Sequence, residues 1–124
     1  MRPAGVPADL RARLEQARLD TLALLRALDR GLGSHHTPTA PLAALAEADA
    51  DCAEALWALD QPPGTLDDAA MVRDTLATLG RLPRTRQHVR EVLPRQTRAH
   101  VSRLERDIRA TLDAREAYND IPGT

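Results

Sequence analysis

The chain has 124 residues and a formal net charge of −1, which suits a single domain and excludes a large multidomain enzyme. Alanine and leucine supply most of its hydrophobic residues, whereas it contains no Phe, one Trp and one Tyr. Such a shortage of aromatic and β-branched residues favours helices over sheets. It also leaves few rings on which a single-stranded nucleic acid could stack. We therefore predict an all-α protein.

Cys52 is the single cysteine, which excludes an intramolecular disulfide and a cysteine-rich metal site. The first residues contain no apolar signal-peptide core, and no apolar run reaches the roughly 18–20 residues of a membrane span. We expect a soluble, cytoplasmic protein with no membrane contact. All 17 basic residues are arginines, which, with abundant Ala, Leu, Pro and Gly, is typical of proteins encoded in GC-rich bacterial genomes.

Two amphipathic segments occupy the first half of the chain. Apolar residues recur every three or four positions from about Asp9 to Arg30, which predicts a helix that Gly31 and Gly33 end. A second helix is predicted over about Ala40–Leu59, with Thr39 as its N-cap. Their apolar stripes contain Leu10, Leu14, Ala17, Thr21, Leu24, Leu25 and Leu28 in the first helix, and Leu42, Leu45, Ala46, Asp49, Cys52, Ala53, Leu56 and Leu59 in the second.

A third helix follows the break at Asp60–Thr65, and the last residue of that break, Thr65, is its predicted N-cap. The helix is expected to end after Leu79, because Gly80 and Pro83 follow. Its predicted buried face contains Leu66, Ala69, Val72, Leu76 and Leu79.

The last amphipathic segment, Thr85–Tyr118, is long and contains Pro94, which removes one helical hydrogen bond. The proline either breaks the segment into two helices or bends a single helix. We predict that residues 1–118 form one domain, an up-and-down bundle of four to five helices. Residues 119–124 are predicted to be a C-terminal tail.

Charges are segregated along the chain although the net charge is small. From Glu47 to Asp68 there are seven acidic residues and no basic one, whereas the segment from Arg81 to Arg103 has seven arginines and one acid, Glu91. A basic segment of this kind is typical of a surface that binds polyanions. The arginines that would contact phosphates are Arg84, Arg86, Arg90, Arg95 and Arg98.

Other interpretations of the basic segment stay open. It could pack beside the acidic helix, within the chain or across a dimer, or it could form a solvated face. The third helix, Gly80 and the residues from Arg84 to Leu93 also have the spacing of a helix-turn-helix. A pI near 6.4 and the lack of interleaved aromatic residues favour pairing over nucleic-acid binding.

The histidines do not have the spacing of a metal site. His35 and His36 fall in a predicted loop, and His88 and His100 fall on the last segment. A transition-metal site in a bundle needs ligands three or four residues apart on one face, from two helices. The pair formed by His88 and Glu91 has no second pair to complete it, so we predict no metal and no other cofactor.

Asp49 and Cys52 lie on the apolar stripe of the second helix. A carboxylate at such a position needs a partner, and we expect an arginine from another helix. A nucleophilic cysteine needs a positive field, whereas the neighbours of Cys52 are acidic. We therefore expect Cys52 to be a small core residue.

The sequence as a whole predicts a helical protein that forms a homodimer and binds a protein partner without catalysing a reaction. The last segment has a narrow apolar stripe and one-sided charges, which suits pairing with another helix. Trp57 is expected either to fill the core or to anchor an interface. The alternatives are a regulator that binds nucleic acid through the basic segment, and a small enzyme that uses Asp49 or the histidines.

Overall fold

A computed structural model describes residues 8–32, 39–62 and 67–119. These residues form four α-helices, α1 (Ala8–Leu32), α2 (Thr39–Leu59), α3 (Asp68–Glu91) and α4 (Arg95–Asn119), and no strand. The predicted all-α class is thereby confirmed. Residues 120–124 of the predicted tail, together with His35, His36 and Thr65, lie outside the described residues.

The central helix is α1, which packs against α2, α3 and α4, while α2 also packs against α3. Most of the apolar stripe predicted for α1 is buried, but Leu19, Ala23 and Ala27 are buried as well. These three residues belong to the same apolar cluster as Ile108 and Leu112 of α4. A helix with neighbours on several sides buries more than one stripe.

Two ion pairs define how α2 lies against α1. The Nε of Arg18 is 3.0 Å from Oδ1 of Asp49, and Arg11 forms a second pair with Asp60. Because the earlier residue of α1, Arg11, pairs with Asp60 just beyond the end of α2, the two helices are antiparallel.

Gly31 lies inside α1, which continues to Leu32, so the prediction that this glycine ends the helix is wrong. A Cβ atom at Gly31 would lie 3.2 Å from Cδ1 of Leu104 and 3.4 Å from Cδ2 of His100. The missing side chain therefore allows α4 to approach the end of α1 closely. This contact joins the last turn of α1 to the first half of α4, which makes these helices antiparallel too.

Asp67 is the N-cap of α3, in place of the predicted Thr65. Its Oδ1 accepts hydrogen bonds from the backbone N–H groups of Ala69, at 3.0 Å, and Ala70, at 3.4 Å. The short carboxylate side chain thereby satisfies two N–H groups that have no partner inside the helix.

The helix α3 is longer than the sequence predicts, because it continues through Gly80 and Pro83 to Glu91. The predicted end at these residues is therefore wrong, and so is the helix-turn-helix interpretation that depended on it. Pro83 removes one backbone hydrogen bond, but Leu82 and Val89 are buried against the rest of the protein. Tertiary packing of this kind overrides weak local propensity.

The buried face of α3 also differs from the predicted one, of which Ala69 and Leu76 are exposed. Two of the residues buried instead are threonines, which a hydrophobic pattern assigns to solvent. The hydroxyl of Thr78 accepts a hydrogen bond from Arg81 at 3.3 Å, so it is buried with a partner. The buried residues of α3 are Met71, Thr75, Thr78, Leu82 and Val89.

Pro94 separates α3 from α4, and the predicted interruption is a break rather than a bend. The backbone N–H of Leu93 donates to the carbonyl of Arg90 at 3.2 Å, which closes the last turn of α3. The N–H of Arg98 donates to the carbonyl of Pro94 at 2.8 Å, which opens α4. The Arg98 guanidinium also donates to the carbonyl of Leu93 at 3.2 Å. Within the described ranges, none of the helices combines the length and apolar character of a membrane span.

Candidate functional site

Two of the five arginines assigned to polyanion binding form ion pairs between helices. Nη2 of Arg90 lies 2.6 Å from Oε2 of Glu105 on α4, and Nη2 of Arg86 lies 3.9 Å from Oδ2 of Asp20 on α1. The side chains of Arg86 and Arg90 are only 14% and 29% exposed. This part of the basic segment therefore pairs within the chain, but its partners are on α1 and α4 rather than on α2.

The other three arginines, Arg84, Arg95 and Arg98, are exposed and have no ion pair within the described ranges. Arg95 and Arg98 belong to the first turn of α4, and Arg84 precedes the end of α3 by two turns. We call these three residues the basic corner. The one described ion pair that joins the basic segment to α2 is that of Arg81 with Asp51, at 3.8 Å.

Trp57 does not fill the core, because 61% of its surface is exposed. It lies on the side of α2 that faces away from α1, together with three exposed alanines. Their spacing of three, four and seven residues places all four on one face of the helix. We call Ala43, Ala46, Ala50 and Trp57 the outer face of α2.

Glu47 and Glu54 are also exposed on α2 and border its outer face. The helix contains no arginine or lysine. The outer face is therefore apolar and formed mainly by small side chains, and the charged residues of α2 that border it are acidic.

Asp49 has the inter-helix arginine partner that its position requires. The arginine is Arg18 of α1, at 3.0 Å, and the Asp49 side chain is 24% exposed. The partner thus comes from the central helix and not from the basic segment. The carboxylate connects α1 and α2, which accounts for its position without a catalytic role.

Cys52 is fully buried, as the sequence predicts. Burial, with a smaller contribution from the nearby carboxylate of Asp49, raises the pKa of its thiol to about 11. The side chain is therefore a neutral thiol at physiological pH, and a neutral thiol is a poor nucleophile.

A groove of about 440 Å³ runs between α2 and α4. Leu19 and Leu22 of α1 line it between Leu56 of α2 and Leu112 of α4. A smaller cavity of about 170 Å³ between α1 and α4 is also lined by Leu112 and shares Arg115 with the groove. We call the larger of the two the α2–α4 groove. Its existence depends on α4 packing against α1, which no pattern in the sequence specifies.

The polar residues that line the α2–α4 groove and the smaller cavity together carry more positive than negative charge. Arg18 is paired with Asp49, whereas Arg26, Arg30 and Arg115 are exposed and have no ion pair in the part of the chain that the structure describes. The polar lining residues are Glu15, Arg18, Arg26, Arg30, Asp107, Thr111 and Arg115. The α2–α4 groove thus has a leucine-rich interior bordered by Arg115, whereas Arg26 and Arg30 line the smaller cavity.

The structure brings no metal-binding group together among the described residues. His88 and His100 are exposed on α3 and α4. Comparison with known proteins gives no match of the sequence to a family model or to a curated protein, and no match of the fold to a solved structure.

Proposed function

We propose that this protein is an up-and-down helical bundle that acts by self-association, and that it presents the same surface to a protein partner. The observation that carries the proposal is the exposure of Trp57 on the apolar outer face of α2. A tryptophan is the residue type most enriched at the energetic centres of protein interfaces. Its 61% exposure leaves a large apolar side chain in water in the isolated chain.

The outer face supports the proposal because it has the chemistry of an interface rather than of a solvated surface. Small alanine side chains permit a partner helix to approach closely, since the distance between packed helices depends on the side chains at the contact. Exposed apolar residues that occur singly need no explanation, whereas several on one face mark an interaction site. Leu76 and Val92, which are 46% and 49% exposed, lie on α3 and after its end, away from this face.

The single tryptophan provides a direct test, since Trp57 is the only one in the chain. We expect its fluorescence to shift to shorter wavelength and to become less accessible to iodide as the protein concentration rises. Light scattering should give a mass that rises from one chain to two over the same range. The variant Trp57→Ala should weaken self-association at least about tenfold.

Leu76→Ala is the matched control, because it removes an exposed apolar side chain of α3 that lies off the outer face. It should leave the dimerisation constant within about twofold of the wild-type value. A chain that stays monomeric at the highest attainable concentration would overturn the proposal. Equal weakening by Trp57→Ala and Leu76→Ala would also count against it.

A second candidate function is polyanion binding at the basic corner, which the exposure of Arg84, Arg95 and Arg98 favours. Phosphate contacts make affinity fall steeply with salt. If the corner binds nucleic acid, anisotropy of a labelled mixed-sequence DNA or RNA should show binding that weakens between about 50 and 200 mM salt. Replacement of the three arginines by glutamine should abolish binding, whereas Arg73→Gln, an exposed arginine of α3 outside the corner, should not.

A further inference from the structure

Arg86 of α3 is a largely buried arginine whose guanidinium lacks the short hydrogen bonds that comparable arginines make. Its Nη1 atom is buried with no hydrogen-bond partner among the described residues. Its Nη2 atom lies 3.9 Å from Asp20, which is too far for a hydrogen bond. By contrast, Arg90 donates to Glu105 over 2.6 Å and Arg109 donates to Asp20 over 2.8 Å. A buried charged donor without a partner is unfavourable, so the placement of Arg86 calls for a reason other than stability.

Arg86 borders a cleft of about 400 Å³ between α1 and α3. A volume of this size lies in the range of sites for small organic molecules. Its apolar lining consists of Ala12 and Ala17 on α1 and of Leu79 and Pro83 on α3. Within the described ranges no residue of α2 lines it, so the cleft is separate from the outer face of α2. We call it the α1–α3 cleft.

The polar lining of the α1–α3 cleft contains a second guanidinium, that of Arg13 on α1. Arg13 is exposed and has no ion pair in the part of the chain that the structure describes. Two acids also line the cleft. Asp9 is exposed to water, and Oδ1 of Asp20 already accepts a hydrogen bond from α4. The buried polar group of the lining that still needs a partner is therefore a donor, the guanidinium of Arg86.

The apolar lining lies between the levels of the two arginines. Ala17 belongs to the same apolar cluster as Leu82, and Asp20 is paired with Arg86, so α1 and α3 run parallel. Arg13 precedes Asp20 by seven residues, which is about 10 Å along the helix axis. A ligand bound to Arg86 can therefore extend over Ala17 towards Arg13.

We propose that the α1–α3 cleft binds a small organic carboxylate, whose carboxylate group pairs with Arg86 and whose apolar part lies on the apolar lining. The planar guanidinium group matches a carboxylate with two parallel N–H···O bonds. Arg13 adds a positive charge at the other end of the ligand. A singly charged carboxylate fits better than a doubly charged phosphate, because Asp9 and Asp20 repel a second negative charge.

Binding requires the guanidinium of Arg86 to turn, because its Nη1 atom is covered in the free chain. The contact that holds this group is the ion pair with Asp20 at 3.9 Å, so the turn breaks no short hydrogen bond to that carboxylate. Asp20 keeps its shorter bond to Arg109 when Arg86 turns away. The exchange thereby replaces a long contact with two charge-assisted hydrogen bonds.

Benzoate is the probe, and benzamide, which has nearly the same shape and no charge, is its control. Amide NMR spectra of the isotope-labelled wild type are recorded at neutral pH and constant ionic strength. Benzoate should shift the signals of cleft residues such as Ala17 and Leu79, with a dissociation constant of about 1 mM or below. Benzamide should bind at least about tenfold more weakly, because it offers Arg86 no negative charge.

Four variants test the roles of the two arginines. Arg86→Gln should weaken benzoate binding at least about tenfold, and Arg86→Lys, which keeps the charge but not the planar fork, should fall between Arg86→Gln and the wild type. Arg13→Gln should weaken binding at least about threefold, because its charge acts from a greater distance. Arg73→Gln is the matched control, since Arg73 is an exposed arginine of α3 about 20 Å before Arg86 along the axis, and it should bind benzoate as the wild type does.

The variants at Arg13 and Arg73 change exposed side chains and should keep the fold. Circular dichroism and the urea midpoint identify whether Arg86→Gln and Arg86→Lys are folded. If Arg86→Gln does not fold, the comparison of Arg86→Lys and Arg13→Gln with the wild type decides the proposal.

Three results would overturn the inference. They are the absence of benzoate-induced shifts in the cleft, equal affinities for benzoate and benzamide, and benzoate affinities of the folded Arg86 variants equal to that of the wild type. Self-association is tested separately, since the described lining of the cleft contains no residue of α2. A wild type that stays monomeric would overturn the proposed self-association and leave the carboxylate site standing.

Discussion

Arg109 of α4 donates from its Nε to Oδ1 of Asp20 on α1 over 2.8 Å. The same arginine also pairs with Gln16 and Asp113. The other oxygen of Asp20 faces Arg86 of α3 at 3.9 Å. One carboxylate on the central helix therefore serves arginines from two other helices.

Replacing Asp20 by Ala should destabilise the protein by about 1–2 kcal/mol. The side chains of Arg86 and Arg109 are 14% and 19% exposed, so each would keep a largely buried charge with its main acidic partner gone. The Asp20 side chain is itself 42% exposed, which lets water offset part of the loss. Urea unfolding of the wild type and the variant measures the difference.

Asp113→Ala provides the comparison for that substitution. Asp113 also pairs with Arg109, but it does so from the next turn of the same helix, with a side chain that is 55% exposed. Exposed pairs of this kind contribute about 0.3–0.5 kcal/mol. Equal losses from Asp20→Ala and Asp113→Ala would contradict the role assigned to Asp20.

The fold class and most of the helix bounds follow from the sequence, whereas the course of α3 does not. The three- and four-residue spacing of apolar residues in α1 and α4 indicates most of the residues that are buried there. In α3 the buried positions include Thr75 and Thr78, which a hydrophobic pattern treats as polar. Local signals at Gly80 and Pro83 predict an end that tertiary packing overrides.

The candidate surfaces were predictable only in part. The segregation of charge indicated a basic segment, but which of its arginines pair within the chain depends on the packing of α3 and α4, as Arg86 and Arg90 show. The sequence leaves open whether Trp57 is buried or exposed, because its neighbours on α2 are alanines that fit either kind of face equally well. The α2–α4 groove arises between helices far apart in sequence, and no local pattern encodes it.

The two described glycines should respond differently to substitution by alanine. Gly80 is exposed in the middle of α3, and a Cβ atom there meets no other atom within 4 Å. Because glycine is about 1 kcal/mol less favourable than alanine inside a helix, Gly80→Ala should stabilise the protein by about that amount. Thermal or urea unfolding would reveal the gain.

Gly31→Ala should not bring the same gain. Its Cβ atom would lie 3.2 Å from Leu104, so that side chain must shift and part of the packing between α1 and α4 is lost. The stability of Gly31→Ala should therefore fall clearly below that of Gly80→Ala. Identical stabilities of the two variants would contradict the close approach of the helices at Gly31.

Asp67→Ala should cost about 1 kcal/mol of stability, because it removes the N-cap of α3. The loss arises from the N–H groups of Ala69 and Ala70, which donate to the Asp67 side chain in the wild type. Asp67→Ser keeps a side-chain acceptor and should retain most of that stability. Urea unfolding of the three proteins gives the order wild type, serine variant, alanine variant if Asp67 acts as a cap.

Cys52 should make stability fall at alkaline pH. Burial raises its pKa from an ordinary value of 9.0 to about 11, so above pH 9 the unfolded chain loses the thiol proton while the folded chain keeps it. A folded state that binds more protons than the unfolded state loses stability as pH rises. The free energy of unfolding therefore keeps its full value with respect to this thiol below pH 9. It falls as the pH rises, by about 2 kcal/mol at about pH 11.

Urea unfolding at about pH 8 and about pH 11 should show this extra loss of stability in the wild type and not in Cys52→Ala. Equal pH dependence of the two proteins would mean that the thiol ionises as readily in the folded chain as in the unfolded one.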